Sequence, residues 1–298
     1  MKILIIGSLG FIGRHCMSFF SSIHDTYGCD LHSDCKNQKH FTISPNAIDI
    51  NCIFEKYNFD ICINCAGSAV VSESFTDPSG DFFRNTVLLV NILNAIRNNS
   101  PHCKFINISS AAVYGNPITL PIPETAKPNP ISPYGFHKLM AENLCQEYTK
   151  IYKLHTCSLR IFSAYGPELR KQLIWDILSK IKHSNQITLF GTGQETRDFI
   201  YIDDIIQAIN IIIHKSDFNA DIINIASGQQ TTISHIINTI QSIHPSAFEF
   251  SFNNITRPGD PLHWQADISR LQSWGFTRTT SIQQGLTKVI SWFLKENI

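Results

Sequence analysis

The chain has 298 residues, of which 43% are hydrophobic, enough apolar material for one large domain or two smaller ones. Its 24 Lys and Arg residues balance its 24 Asp and Glu residues, so it lacks the basic excess typical of nucleic-acid-binding proteins. No apolar run reaches the length of a membrane span, and the apolar N-terminus lacks the small-residue cleavage site of a signal peptide. We therefore expect a cytoplasmic protein that binds neither nucleic acid nor membrane.

Short apolar runs alternate with longer amphipathic stretches through the first half of the chain. This alternation predicts an α/β fold, a Rossmann-type doubly wound parallel sheet with helices on both faces. The predicted strands cover residues 2–6, 26–30, 60–64 and 104–109, and the predicted helices lie near residues 11–22, 47–57, 80–98 and 132–152.

The second half of the chain is less regular. Six prolines between residues 115 and 133 predict a long surface loop, because proline fits neither a helix interior nor a central strand. After about residue 165 the predicted strands become shorter. We therefore predict a nucleotide-binding domain over residues 1–165, with some later segments returning to it, and a smaller α/β substrate-binding lobe over residues 166–298.

Nine cysteines are an odd number for a disulfide framework. Cys62 and Cys65 form a C-x-x-C pair inside an apolar run with strand character, and no second pair with zinc-site spacing accompanies them. We interpret the cysteines as small, reduced residues, mostly buried, and we expect no metal site.

A glycine-rich turn follows the first predicted strand and opens the first predicted helix. Its glycines are Gly7, Gly10 and Gly13, at a spacing one residue different from the dinucleotide-binding fingerprint. Glycine permits a sharp turn and a close approach of the backbone to a diphosphate, whose charge is favoured at a helix N-terminus. The turn therefore predicts a dinucleotide site.

An acidic residue ends the second predicted strand. Asp30 can accept hydrogen bonds from an adenosine ribose and would repel a 2′-phosphate, which favours NAD over NADP. Arg14, just inside the first helix, could weaken this preference or lie on the surface. Asp49 and Ile50 follow another apolar run and could reach the adenine.

A tyrosine and a lysine share one face of the predicted helix at residues 132–152. Tyr134 and Lys138 are four residues apart, and Ser110 ends the strand before them. A phenol ordinarily has a pKa of about 10. The lysine ammonium and an oxidised nicotinamide would both lower it, making Tyr134 a general base near neutral pH. Ser110, Tyr134 and Lys138 together predict a hydride-transfer site.

These motifs, taken in order, resemble the NAD-dependent epimerase/dehydratase family, the extended short-chain dehydrogenase/reductases that act on nucleotide sugars, and are closest to those of UDP-sugar 4-epimerases. The resemblance runs essentially from end to end. It is carried by Gly7, Gly10, Gly13, Asp30, Asp49-Ile50, Asn64 to Gly67, Asn85, Ser109 to Gly115, Tyr134, Lys138, Leu159 to Pro167, Arg197 to Asp204, Asn224 to Gly228, Arg257 to Asp260, Ala266 to Ile268 and Gly285 to Trp292.

The resemblance implies a role for each matching residue. The implied contacts to NAD come from Gly7, Gly10, Phe11, Ile12, Gly13, Asp30, Asp49, Ile50, Ala66, Gly67, Asn85, Ser109, Tyr134 and Lys138. The implied contacts to a nucleotide-diphosphate sugar come from Ser110, Tyr134, Ser163, Arg197, Arg257 and Asp260. The two arginines would clamp the diphosphate, although Arg197 could instead form a salt bridge with Asp198 or Asp203.

The residues after Ser110 bear on the reaction. Dehydratases and decarboxylases of this family place a carboxylate there, whereas this chain has Ala111 and Ala112. We therefore expect chemistry at C4 in which Tyr134 handles the proton. Because Asp30 favours tightly held NAD, we expect a nucleotide-sugar 4-epimerase of the UDP-hexose type that passes through a 4-keto sugar. The alternatives are an NAD(P)H-dependent 4-keto-6-deoxy-sugar reductase and, less favoured, a non-catalytic NAD-binding regulator.

The chain also departs from the family's pattern. Ser163 replaces a common Asn, Ala69 a Lys of hexose epimerases, His137 a Ser or Thr, and Leu88 a Gly. Residues 168–173 form a candidate substrate-side loop, whose cations could equally be solvated. The resemblance implies a homodimer formed through the helix of Tyr134 and Lys138.

Overall fold

The computed structural model describes residues 1–43 and 50–296. Its main sheet has seven parallel strands in the order β10-β6-β5-β4-β1-β2-β3. These strands are β1 (Lys2–Ile6), β2 (Asp25–Asp30), β3 (His40–Thr42), β4 (Ile61–Asn64), β5 (Lys104–Ser110), β6 (His155–Ile161) and β10 (Asn219–Ile225). The order reverses between β1 and β4, where ligands of such sheets bind. The predicted doubly wound α/β fold is confirmed.

The apolar strands are buried on both faces of this sheet. In β1, Ile3 and Ile5 pack on one side and Leu4 and Ile6 on the other, as expected when helices cover both faces. The helices of the first half are α1 (Phe11–Phe20), α2 (Asn51–Lys56), α3 (Val71–Thr76), α4 (Pro78–Phe82), α5 (Leu88–Asn99) and α6 (Pro133–Tyr152). A π-helical turn, Phe83–Val87, joins α4 to α5.

Two further small sheets belong to the second half of the chain. One has the order β11-β9-β7 and the other pairs β12 with β8. Their strands are β7 (Ser163–Tyr165), β8 (Gln186–Leu189), β9 (Thr196–Tyr201), β11 (Gln230–Thr232) and β12 (Glu249–Phe252). The remaining helices are α7 (Gln172–His183), α8 (Ile202–Lys215), α9 (Ile233–Ile243), α10 (Ser269–Ser273) and α11 (Ile282–Lys295). Residues 219–225 form β10, which joins the main sheet, so this late segment packs with the strands of the first half of the chain.

Most predicted elements have observed counterparts, with shifted ends. The predicted helix over 80–98 is interrupted by the π turn, and β3 was not predicted. The predicted helix over 47–57 lies partly outside the described residues, and α2 begins at Asn51. No helix in the described ranges has the length and apolar character needed to cross a membrane. All nine cysteines lie in the described residues, and no disulfide joins any of them.

Candidate functional site

The glycine turn between β1 and α1 lies where the strand order reverses. Gly7 has a φ of +75°, and a Cβ there would lie 2.6 Å from the backbone nitrogen of Ala66, just after β4. A Cβ at Gly13 would overlap the Gly7 carbonyl oxygen. Gly10 precedes α1, whose N-terminus has no side-chain cap and no acidic residue in its first turn. A diphosphate could therefore approach the backbone of the turn closely and lie at the partly positive N-terminus of α1.

Asp30 lies half-buried at the end of β2, beside this turn. Its carboxylate accepts hydrogen bonds from the backbone N–H of Leu9 at 2.9 Å and of Leu31 at 2.8 Å. Carboxylate oxygens have further lone pairs, so Asp30 can still accept hydrogen bonds from ribose hydroxyls. Asp49 lies outside the described residues. Ile50 is buried in the core, so only its backbone is available to a cofactor.

The first turn of α1 connects the glycine turn to the second half of the chain. Phe11 and Ile12 are half-buried and pack against the core. Arg14 pairs with Glu168 at 2.7 Å and donates a hydrogen bond to the Leu9 carbonyl at 2.9 Å. Because its guanidinium already pairs with Glu168, Arg14 is not an unpaired cation that could bind a 2′-phosphate.

A polar cradle of buried side chains lies beside Gly67, an exposed residue after β4. Gly67 has a φ of +135°, and a Cβ there would lie 2.6 Å from Oδ1 of Asn85 and 3.5 Å from Nζ of Lys138. The Asn85 amide donates to the backbone and side-chain oxygens of Asp81, both at 3.1 Å, whereas its Oδ1 has no partner among the described residues. Nζ of Lys138 donates to the Ile108 carbonyl at 2.9 Å. A buried acceptor without a partner, beside a glycine, fits a site completed by a ligand.

Ser109 differs from the other predicted cofactor residues because its hydroxyl is already bonded. It donates to Glu142 at 2.6 Å, and Arg160 pairs with the same carboxylate through two hydrogen bonds at 3.0 and 2.7 Å. All three residues are buried. Only the backbone of Ser109 can therefore face a cofactor, while its side chain anchors β5 to α6.

The sheet edge and the start of α6 bring Ser110 and Tyr134 to one cavity. Ser132 caps α6 by accepting a hydrogen bond from the Gly135 N–H at 3.1 Å, and Pro133 occupies its first turn, so the helix begins at a defined residue. Lys138 lies one turn further on, with Nζ 5.8 Å from the centre of the Tyr134 ring. The three predicted catalytic groups are thus neighbours.

Burial has the largest effect on the pKa values of Tyr134 and Lys138. It raises the pKa of Tyr134 to about 12, although hydrogen bonding with Ser110 opposes the change. It also lowers the pKa of Lys138 to about 8, against the attraction of Asp81. For Tyr134, loss of solvent disfavours the phenolate more than the hydrogen bond with Ser110 favours it. The lower pKa expected from the sequence includes the charge of an oxidised nicotinamide and stays a prediction.

The cavity has a volume of about 480 Å³ and lies between the sheet edge and the second half of the chain. All six residues expected to contact a nucleotide sugar line it: Ser110, Tyr134, Ser163, Arg197, Arg257 and Asp260. Its lining carboxylates are Asp176, Glu195 and Asp260. Asp176 lies 3.7 Å from Arg257, and Glu195 accepts hydrogen bonds from its own loop. Ala111 and Ala112 supply no carboxylate beside Ser110.

The two arginines of the cavity lie against aromatic rings. Arg197 lies 5.9 Å from the Trp264 ring and donates to the Thr196 carbonyl, and Arg257 lies 4.1 Å from the Phe190 ring. Neither salt bridge considered for Arg197 is formed within the described residues, because Asp198 binds backbone N–H groups and Asp203 lies near Lys288. Burial lowers the pKa of Arg197, and the charge of Asp260 opposes this.

Two features of the site were missed by sequence reasoning. Asp81, fully buried, binds Nδ1 of His137 at 2.6 Å. These residues are 56 positions apart, so no local pattern indicates the pair. The second feature is Trp264, which lines the cavity and donates to the Gly115 carbonyl at 3.0 Å. Lys171 belongs to the candidate substrate-side loop expected over residues 168–173, and it too lines the cavity.

Comparison with known proteins agrees with this geometry. A protein of Methanocaldococcus jannaschii described as a UDP-glucose 4-epimerase is 27% identical, over 99% of both chains. A dTDP-D-glucose 4,6-dehydratase of Dictyostelium discoideum is 31% identical, over 72% of this chain and 56% of its own. The solved structure of UDP-glucuronic acid 4-epimerase from Bacillus cereus, in complex with UDP-glucuronic acid and NAD, superimposes with a TM-score of 0.90, at 26% identity, covering 99% of this chain and 100% of that one.

The family model named NAD dependent epimerase/dehydratase family matches residues 3–226, three quarters of the chain. This stretch contains the glycine turn, the cradle around Gly67 and the groups Ser110, Tyr134 and Lys138. The predicted family, and with it the predicted dependence on NAD, is confirmed. Because this match covers more than half of its length, the chain belongs to the NAD dependent epimerase/dehydratase family.

Proposed function

We propose that the chain is a cytoplasmic UDP-sugar 4-epimerase that retains NAD through its catalytic cycle. The observation that carries the proposal is the meeting of Ser110 and Tyr134 at a cavity with arginines further along its wall, with Nζ of Lys138 5.8 Å from the Tyr134 ring. Relatives of both kinds, epimerases and dehydratases, have this fold. Ala111 and Ala112 favour the epimerase, because elimination of water needs a second acid–base group beside the sugar.

The described residues fit NAD. The glycine turn and the N-terminus of α1 would hold its diphosphate, and Asp30 the adenosine ribose. Asn85, with its unpartnered buried oxygen, and Lys138 would hold the nicotinamide end. Bound NAD supplies the chemistry of accepting a hydride from C4 of the sugar and returning it.

The protein's own groups manage the proton and the position of the sugar. Tyr134 removes the proton of the 4-hydroxyl as the carbonyl forms and restores it after reduction, and Ser110 hydrogen-bonds to the same oxygen. The ammonium of Lys138 stabilises the phenolate. Arg197 and Arg257 hold the diphosphate while the keto-sugar turns to present its other face. We therefore assign Ser110, Tyr134 and Lys138 as the catalytic residues.

The nucleotide sugar would bridge the two parts of the chain. We propose that residues 1–165, together with β10, bind NAD, and that residues 166–298 supply most contacts to the substrate, including Ser163, Arg197, Arg257 and Asp260. We also propose a homodimer through α6, which is tested below.

The decisive experiment uses the protein as purified. We expect denaturation to release NAD, and we expect the native protein to interconvert a UDP-sugar and its C4 epimer without added cofactor. Tyr134→Phe should lower kcat by about 100- to 10,000-fold, because it removes the acid–base group, while UDP binding measured by calorimetry stays unchanged. Consumption of NADPH only with a 4-keto sugar would replace the epimerase by the reductase. NAD binding without any turnover would favour a regulator.

A further inference from the structure

One cationic side chain lines the cavity without a role in the chemistry proposed above. Lys171 follows the loop after β7 and occupies the position just before α7, and it shares the cavity wall with Ser110 and Tyr134. Its side chain is half-buried, and loss of solvent lowers its pKa. A cation withdrawn from water normally gains a partner in return.

Lys171 has no such partner. No hydrogen bond or ion pair of its ammonium occurs within residues 1–43 and 50–296, and the charge that most favours its ionised form, Glu73, forms no ion pair with it. Its neighbour Arg170 pairs with Glu296 at 3.0 Å and lies 5.8 Å from the Trp292 ring. Two successive cations thus have different surroundings: Arg170 is satisfied by the protein and Lys171 is not.

The backbone around Lys171 is held in an unfavourable conformation. Glu168 and Gln172 have φ values of 72° and 69°, in the left-handed region that disfavours side chains. Glu168 is fixed by Arg14 at 2.7 Å. Such strain persists only where surrounding contacts enforce it, and it clusters at functional sites. The loop is therefore built to place Lys171 in the cavity wall.

The three cations of the cavity wall act on different charged groups. The charge of Lys171 acts on Lys138, the residue beside Tyr134. Arg197 and Arg257 act instead on Asp260. Of the three cations, Lys171 is therefore the one that acts on the proposed catalytic pair.

We propose that Lys171 forms a subsite for a carboxylate on the sugar, so that the substrate is a nucleotide-linked uronic acid rather than a neutral hexose. The inference rests on the proposed epimerase function and names its substrate class. A carboxylate supplies the charge-assisted hydrogen bonds that the desolvated ammonium lacks. A neutral hydroxymethyl group would leave that charge uncompensated.

The test compares UDP-glucuronate with UDP-glucose on the protein carrying its bound NAD. We expect the wild type to prefer UDP-glucuronate in kcat/KM. Lys171→Met should lower kcat/KM for UDP-glucuronate by about 10- to 100-fold, the size of one lost charge-assisted bond, and leave that for UDP-glucose nearly unchanged. Lys171→Arg should retain most of the preference. Arg170→Met is the matched control. It removes the adjacent cation and should not change the preference for UDP-glucuronate.

Binding of UDP alone, measured by calorimetry, separates the sugar from the diphosphate. We expect Lys171→Met to bind UDP as tightly as the wild type; equal losses for UDP and both sugars would place Lys171 in the diphosphate clamp and overturn the inference. A wild type that epimerises UDP-glucose and ignores UDP-glucuronate would also overturn it, leaving the epimerase standing. If neither sugar turns over, the proposed epimerase fails, and the carboxylate subsite is then judged by whether Lys171→Met selectively weakens UDP-glucuronate binding.

Discussion

At the scale of single residues, burial makes the ionisation of Tyr134 and Lys138 depend on the ligand bound beside them. The pKa of Tyr134, ordinarily about 10, is raised to about 12, and the pKa of Lys138 is lowered to about 8. Both shifts favour the neutral forms, since burial penalises charge of either sign. The positive charge of an oxidised nicotinamide would oppose the first shift.

Titration of the tyrosinate absorbance tests this dependence. In protein stripped of NAD, at pH 10, an ordinary tyrosine is half ionised but Tyr134 should remain protonated. The wild type and Tyr134→Phe should therefore show equal tyrosinate absorbance there. Adding NAD should create a difference in tyrosinate absorbance between the wild type and Tyr134→Phe. A difference equal to half of one tyrosine without NAD would contradict the expected effect of burial.

The buried pair of Asp81 and His137 also affects this site, because Asp81 acts on Lys138. Asp81 raises the pKa of Lys138, so Asp81→Asn should lower that pKa below about 8. Because an amine below its pKa is charged, the ammonium would then be lost at a lower pH. We expect the alkaline fall in kcat to move to lower pH in Asp81→Asn. The remaining charged neighbours, Glu142 and Lys171, are unchanged in this variant.

Stability provides the complementary measurement for Asp81. The variant weakens the 2.6 Å contact to His137 and the bond from Asn85, so we expect a loss of about 3 kcal/mol in the free energy of unfolding. Urea denaturation measures it. Glu296→Gln, which breaks only an exposed pair with Arg170, should cost less than about 1 kcal/mol. Equal costs would show that the Asp81 contact is not a structural support.

At the scale of elements, Asp198 joins three segments that shape the substrate wall. It lies on β9 and accepts hydrogen bonds from the N–H and hydroxyl of Ser227, the N–H of Gly228 and the N–H of Ala266, all between 2.7 and 3.1 Å. Its neighbour Arg197 faces the cavity. Asp198 is thus a structural carboxylate that orients the arginine beside it.

Asp198→Asn should destabilise the protein by about 3 kcal/mol, because an amide group cannot accept from donors on both of its sides. Thermal and urea denaturation measure this cost. We also expect a higher KM for the UDP-sugar with little change in kcat, since Arg197 is displaced but Tyr134 is not. Asp203→Asn, on the exposed surface near Lys288, is the control. A fall in kcat at constant KM would instead place Asp198 in the chemistry.

At the scale of the whole molecule, the outer face of α6 bears on assembly. Three apolar residues of α6, Leu139, Leu144 and Tyr148, pack in the core or against it. The exposed apolar residues on α6, at the end of α4 and in the π turn include Phe82, Phe83, Phe136, Met140, Ile151 and Tyr152. An exposed apolar patch of this kind is typical of a protein interface.

We expect a dimer in solution, measured by sedimentation velocity. The double change Phe136→Glu and Met140→Glu should produce monomers, because four charges per dimer would have to be buried without partners. A matched pair of changes at exposed Leu262 and Leu294, away from α6, should leave the dimer intact. A wild-type protein that sediments as a monomer at micromolar concentration would refute this assembly.

The local sequence was sufficient for most elements of the first half of the chain and for the motifs of the proposed cofactor site. Buried parallel strands read as apolar runs, and the glycine turn, Asp30 and the Tyr134–Lys138 spacing are each defined within one or two neighbouring elements. Only the tertiary structure decided which residues meet across the chain: the arginines with Ser110, and Asp81 with His137. It also decided that Arg170 lies against Glu296 while Lys171 lines the cavity, and that burial raises the pKa of Tyr134. The physical reason is that periodicity records which face of an element is apolar, whereas partners and desolvation depend on how distant elements pack.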